Sequence, residues 1–110
     1  MEFVTVCEVS DIPANQMRKV IVNSKEILLA NIDGSYYAIA NKCSHLGGSL
    51  AKGALDGSTV TCPRHGAQFD LITGESIREA KVALIKMKVK DLESFQVKVD
   101  GKNIMVGIPE

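Results

Sequence analysis

Four residues carry the chemistry this sequence can do. Cys43-Ser44-His45 is a C-x-H signature and Cys62-Pro63-Arg64-His65 a C-x-x-H signature, with sixteen residues between them. Together they use both histidines of the chain and two of its three cysteines. Thiolate and imidazole are good ligands for borderline and soft metals, so Cys43, His45, Cys62 and His65 are the candidate metal-binding and cofactor-binding residues. The same count excludes other chemistries. A mononuclear iron site of two histidines and a carboxylate, or a Ser/His/Asp arrangement, needs a histidine the chain does not have to spare. No G-x-G-x-x-G is present, so no bound NAD or flavin is expected, and no catalytic residue is expected at all.

The order of the ligands narrows the metal. Structural zinc sites usually take like pairs, Cys-x-x-Cys followed by His-x₃₋₅-His. Here each signature supplies one cysteine and one histidine. That arrangement suits a two-iron cluster held between two facing loops, each giving its cysteine to one iron and its histidine to the other. This is the ligation of a Rieske [2Fe-2S] centre, in which two histidines replace two cysteines on one iron. Gly47, Gly48 and Gly66 permit positive φ and close backbone approach, and Pro63 stiffens the second loop. A colourless, redox-silent zinc module is the remaining metal alternative.

The elements that must position these loops read as strands. Residues 1–9 alternate and are rich in Val and Thr, which places Phe3, Thr5, Cys7 and Val9 on one face, with Cys7 as a small buried apolar side chain. Ser10 to Asn15 is a connecting turn. Met17 to Asn23 and Glu26 to Ile32 are β runs split by Ser24-Lys25, and Ser35 to Ala40 is a third. Asp33-Gly34, Asp56-Gly57 and Asp100-Gly101 are hairpin signals of type I′. Asn41 to Leu50 and Pro63 to Gly66 are loops; Ser58 to Cys62 and Ala67 to Leu71 are short strands. Ile85 to Lys90 alternates, predicting apolar residues inward and lysines outward. Phe95 to Val99 and Asn103 to Ile108 close the chain as strands.

Bulk properties agree. The chain has 110 residues, enough for one domain. Thirteen basic and thirteen acidic residues cancel, which gives no reason to expect nucleic acid or an anionic membrane as partner. There is no signal-peptide pattern and no apolar run of the roughly 18 to 20 residues a membrane span requires, so a soluble cytoplasmic protein is expected. An odd cysteine count with two in tight motifs favours metal binding over a disulfide framework.

At the signatures the sequence resembles the Rieske-type ferredoxins, in Cys43-Ser44-His45-Leu46-Gly47-Gly48 and in Cys62-Pro63-Arg64-His65-Gly66-Ala67-Gln68-Phe69-Asp70, with Thr73-Gly74-Glu75 after. The resemblance covers essentially the whole chain. It implies an all-β fold: an antiparallel β sandwich or barrel base from residues 1–40 and 73–110, and a small cluster-binding β subdomain of about 41–72, with the cluster near the tip and His45 and His65 closest to solvent. Departures from the cytochrome bc type bear on the potential. That type carries a disulfide between its ligand loops, where this chain has Gly48 and Arg64. It also places a serine and a tyrosine to donate hydrogen bonds to the sulfurs, where this chain has Ala67 and Phe69. Fewer donors stabilise the added electron less, which predicts a potential towards the negative end of the Rieske range, about −150 mV. Residues Glu79 to Leu84 lack the prolines often found there in the family.

The function implied is that of a monomeric one-electron carrier with one [2Fe-2S] cluster, itself not an enzyme. Its donor would be an NAD(P)H-dependent flavoprotein reductase. Its acceptor would be the terminal oxygenase of an aromatic-ring dioxygenase system, or another redox enzyme. Lys42 and Arg64 flank the ligands and are candidates for docking an acidic partner. The alternative from another class is a Rieske-like small subunit of a larger enzyme such as a nitrite reductase. Because oxidised iron acidifies the outer N–H of a histidine ligand, the potential is expected to fall as pH rises through that pKa.

Overall fold

A computed structural model of the protein describes residues 1–43, 48–64, 66–82 and 84–109. Thirteen strands, all paired antiparallel, carry the described part of the chain, with two single-turn 3₁₀ helices at Val9–Asp11 and Leu50–Lys52. This is the all-β class that the turn pattern predicts.

The central sheet has the order β11-β4-β3-β2, with β2 at Gln16–Val22, β3 at Lys25–Ile32, β4 at Ser35–Ala40 and β11 at Ser94–Phe95. Strand β3 is a near-continuous apolar run, the pattern of a strand covered on both faces. Ile27, Leu28, Leu29 and Ala30 are all fully buried. Because successive side chains point to opposite faces, β3 feeds two cores: Ile27 and Leu29 enter one, Leu28 and Ala30 the other. Strand β4 does the same, with Ala38 on the first side and Ile39 on the second.

The first core is closed by a sheet of order β1-β13-β12, made of Glu2–Glu8, Asn103–Ile108 and Val97–Asp100. It supplies Ile104, Val106 and Ile108 to an apolar interior with Ile12, Val22 and Phe95, at whose edge the buried Asn31 amide donates to the Ile12 carbonyl (2.8 Å). The second core is closed by a meander of β5 (Ala54–Asp56), β6 (Thr59–Thr61), β7 (Gln68–Asp70) and β8 (Ser76–Arg78). It buries Leu50, Val60, Phe69 and Leu71 against the far face of the central sheet, together with Cys43 and Cys62. The central sheet is therefore a shared wall. Each fully buried aliphatic side chain on it contributes roughly 1.5–3 kcal/mol by removal from water.

The turns follow their sequences to within one residue. Asp33-Gly34 takes φ of 52° and 93°, both positive as a type I′ turn requires, and Gly34 N–H donates to Asn31 Oδ1 (2.8 Å). The β2–β3 turn uses Asn23-Ser24, with φ of 50° and 67°, one residue earlier than the predicted split. At Asp56-Gly57 and Asp100-Gly101 each aspartate is the last strand residue, paired with Thr59 and Asn103 respectively. Only the glycines there carry positive φ, 61° and 62°, so these are not type I′ pairs.

Two expectations for strand faces are corrected. In β1, Thr5 pairs with Met105 and Cys7 with Ile104, leaving Val6 as the extra residue of a bulge. The bulge ends the regular alternation: Val4, Val6, Cys7 and Val9 all pack against the first core, while Thr5 is exposed. The run from Ile85 to Lys90 is not one inward-facing strand. Strands β9 (Ala80–Val82) and β10 (Ile85–Met87) pair only with each other, and without a second layer over that hairpin Ile85 is 67% exposed. Ala80 and Val89 alone of this segment's described side chains reach the second core. No helix among the described residues is long and apolar enough to cross a membrane.

Candidate metal centre

Two loops at the end of the second core carry the signatures. The first leaves β4 and returns at the 3₁₀ turn. Its base is closed by an isolated bridge between Lys42 and Ser49 and by Cys43 N–H donating to the Gly48 carbonyl (2.8 Å). Cys43 is buried. His45, with Ser44, Leu46 and Gly47, lies outside the described residues.

The second loop joins β6 to β7. Cys62 N–H donates to the Ala67 carbonyl (2.7 Å), and Gly66 N–H donates to the Cys62 carbonyl (3.2 Å). That tight return needs the positive φ of Gly66, 76°. Cys62 is buried, and His65 lies outside the described residues.

The loops face each other. A β-carbon at Gly48 would stand 2.9 Å from Cys62 Sγ and 3.2 Å from Arg64 Cγ. Gly48 is thus small because the second loop presses against it, and it needs no positive φ. The alkyl stem of Arg64 lies against Gly48. Ala67 and Phe69 are both buried in the same core as the two cysteines and offer no hydroxyl.

A [2Fe-2S] group fits the described residues. Two soft donors, Cys43 and Cys62, are held out of water on opposed loops, and the glycine cradle between them would be filled by any side chain. Among the described residues no group of three or more His, Cys, Asp or Glu side chains is placed to hold a metal ion.

The base of the first loop is polar and was not legible as part of a site. Asn41 is fully buried. Its Nδ2 donates to Ser49 Oγ (2.9 Å) and to Glu26 Oε1 (3.3 Å), and its Oδ1 accepts from Ala51 N–H (2.9 Å). Its backbone N–H donates to the Glu26 carbonyl (3.0 Å) and its carbonyl accepts from Leu50 N–H (2.9 Å). Glu26 also meets Lys42 at 3.5 Å and Lys19 at 3.9 Å. Desolvation alone would raise its pKa, but the Asn41 hydrogen bond and the two lysine charges outweigh that and hold the carboxyl below its ordinary value. Asparagine at a strand-to-loop junction is ordinary turn composition, so only burial with complete satisfaction marks it.

Residues 2–96 match the Rieske [2Fe-2S] domain. The chain is 36% identical over 111 residues to the 3-phenylpropionate/cinnamic acid dioxygenase ferredoxin subunit of Shigella boydii serotype 4, covering 100% of this chain and 97% of that one. It is also 36% identical over 102 residues to apoptosis-inducing factor 3 of Mus musculus, where 93% of this chain spans only 16% of the relative. Among solved structures, the ferredoxin of carbazole 1,9a-dioxygenase from Nocardioides aromaticivorans IC177 superposes with a TM-score of 0.83 at 28% identity, covering 96% of this chain and 97% of that one. A ferredoxin-length chain in a complex of reduced oxygenase and oxidized ferredoxin of carbazole 1,9a-dioxygenase gives a TM-score of 0.77 at 26% identity, covering 94% of this chain and 91% of that one.

Proposed function

Since the chain belongs to the Rieske [2Fe-2S] domain family, we propose that it is the ferredoxin component of an aromatic ring-hydroxylating dioxygenase system. It serves an enzyme by carrying electrons and is not itself one. The observation that carries this reading is its match to a dioxygenase ferredoxin subunit over 97% of that subunit's length, with a ferredoxin fold along the same span.

The bound [2Fe-2S] group supplies one centre that accepts and releases a single electron. Cys43 and Cys62 would hold it as thiolates, in the core they share with Leu50, Val60 and Phe69. His45 and His65 complete the ligand set, being the remaining soft donors of the two signatures. Residues of about 41–72 form the cluster-binding subdomain, and 1–40 with 73–110 form the base. Ala67 and Phe69 keep the surroundings dry without donating hydrogen bonds, which supports a potential at the low end of the range.

The acceptor is a terminal oxygenase, by analogy with the carbazole 1,9a-dioxygenase complex. The donor is an NAD(P)H-dependent flavoprotein reductase, and the carrier works as a cytoplasmic monomer. The first test is iron and acid-labile sulfide analysis with EPR of the reduced protein. Two irons and two sulfides per chain, with a rhombic Rieske signal and a midpoint potential below zero near neutral pH, are expected. A colourless protein holding one zinc, or a potential above zero, overturns the reading.

A further inference from the structure

The amide of Asn41 occupies a place that the ligand set does not explain. Among the described residues it is the one fully buried polar side chain beside the second core, two residues before Cys43. Each of its polar atoms is used. Oδ1 takes the N–H of Ala51, and Nδ2 divides between Ser49 and Glu26. Ser49 and Ala51 belong to the returning limb of the first loop, while Glu26 lies on β3, the wall shared by the two cores. Asn41 therefore ties both limbs of the loop to the strand that is buried on both faces.

The charge arrangement gives those ties a direction. Glu26 accepts from Asn41 and is flanked by Lys42 and Lys19, so the amide nitrogen must face it and the amide oxygen must face Ala51. A side chain that could turn over would lose one of these contacts. Burying an unsatisfied polar group costs more than a hydrogen bond returns, so the orientation of Asn41 fixes the register of the loop, and with it the direction of the Cys43 side chain.

We infer that Asn41 is a positioning residue for the cluster, acting through Cys43, with Glu26 and Ser49 as its anchors. This rests on the Rieske reading above and adds to it a residue outside both signatures. Partners that orient a metal ligand typically change metal retention by 10–100-fold when removed.

The test reverses the polarity of the Asn41–Glu26 contact. Asn41→Asp places two carboxylates face to face, and the Asn41→Asp/Glu26→Gln pair restores a donor and an acceptor in swapped positions with the local charge unchanged. The readouts are the rate of iron release to a chelator, the EPR g-values of the reduced protein, and the thermal midpoint of the chain freed of iron. For Asn41→Asp, iron release about tenfold faster than wild type with displaced g-values is expected, and the double variant should return both towards wild type. Ser49→Ala, which removes one anchor and leaves the amide in place, should give a smaller acceleration with a smaller fall in thermal midpoint than Asn41→Asp, and it keeps the test open if Asn41→Asp does not fold. Iron release and g-values unchanged in Asn41→Asp and Ser49→Ala overturn the inference, as does a double variant no better than the single. A wild-type chain that takes up no iron and sulfide overturns the Rieske reading instead, so the two failures are told apart.

Discussion

The two cores of this molecule lie on opposite faces of one sheet and are built to different rules. The core against β1-β13-β12 is filled by apolar side chains and bounded by strands of four to eight residues, and the one buried amide at its edge, Asn31, ties the Ile12 carbonyl to β3 rather than serving a loop with a signature. The core against β5 to β8 is bounded by three-residue strands, includes two cysteines, and has a buried amide at its edge. Long ladders with apolar filling supply stability. Short strands leave the chain free to turn twice within a few residues, and those turns carry the signatures. Stability and site are separated by a single layer of backbone.

Leu28 and Leu29 make the sharpest cut through that comparison, since they are neighbours in sequence and enter different cores. Leu29→Ala and Leu28→Ala should each lower stability by about 2–5 kcal/mol, the range for emptying a buried leucine site, as read by denaturant unfolding. Only Leu28→Ala should also speed iron loss. Equal iron loss in both would mean that the two cores are not functionally distinct.

Gly48→Ala tests the contact between the loops. Its added carbon meets Cys62 Sγ and the Arg64 stem, and overpacking of this kind costs about 1–3 kcal/mol. The variant should show reduced iron content with the far-UV spectrum of the base preserved. Wild-type iron content would show that the loops separate without penalty.

Phe69→Tyr asks whether the dryness of the second core sets the potential. A hydroxyl placed among Cys43, Cys62 and Ala67 should raise the midpoint potential, while an unpartnered buried hydroxyl would lower stability by roughly 1–3 kcal/mol. Redox titration and thermal unfolding of the same sample separate the two effects. An unchanged potential would remove the hydroxyl argument for the low-potential assignment.

The smallest effect is electrostatic. Glu26 has a folded pKa below its unfolded one, so its contribution is present above the unfolded carboxylate pKa and is lost as pH falls through the folded value. Glu26→Gln should therefore be less stable than wild type near neutral pH, with the gap closing in acid. A gap that widened on acidification would reverse the sign of this linkage.

The candidate ligands were legible because their chemistry is written in residue type and spacing: Cys43, His45, Cys62 and His65 stand out in any reading of the chain. Strand β3 was legible because a short apolar run, Ile27-Leu28-Leu29-Ala30, lies between two turn signals. The bulge at Val6 was not, because one extra residue in an alternating Val-rich stretch changes no composition. Nor was the exposure of Ile85, since alternation describes a strand without saying whether a second layer covers it. Gly48 was legible as a place of close approach, but not what approaches it: the neighbour is the sulfur of the other loop's Cys62, and no positive φ is used. Asn41 had no signal, because its role exists only once Glu26, Ser49 and Ala51 have been brought around it.

The double burial of β3 also governs how the molecule comes apart. Peeling away the short-stranded layer would leave Leu28, Ala30 and Ile39 facing water, and peeling away the other would do the same to Ile27, Leu29 and Ala38. Neither half has a cheap open state of its own. Amide protons in the middle of this strand should therefore exchange with solvent only through complete unfolding, at one free energy for the whole stretch. A carrier built in this way meets its partners again and again without a breathing motion that would release what it carries.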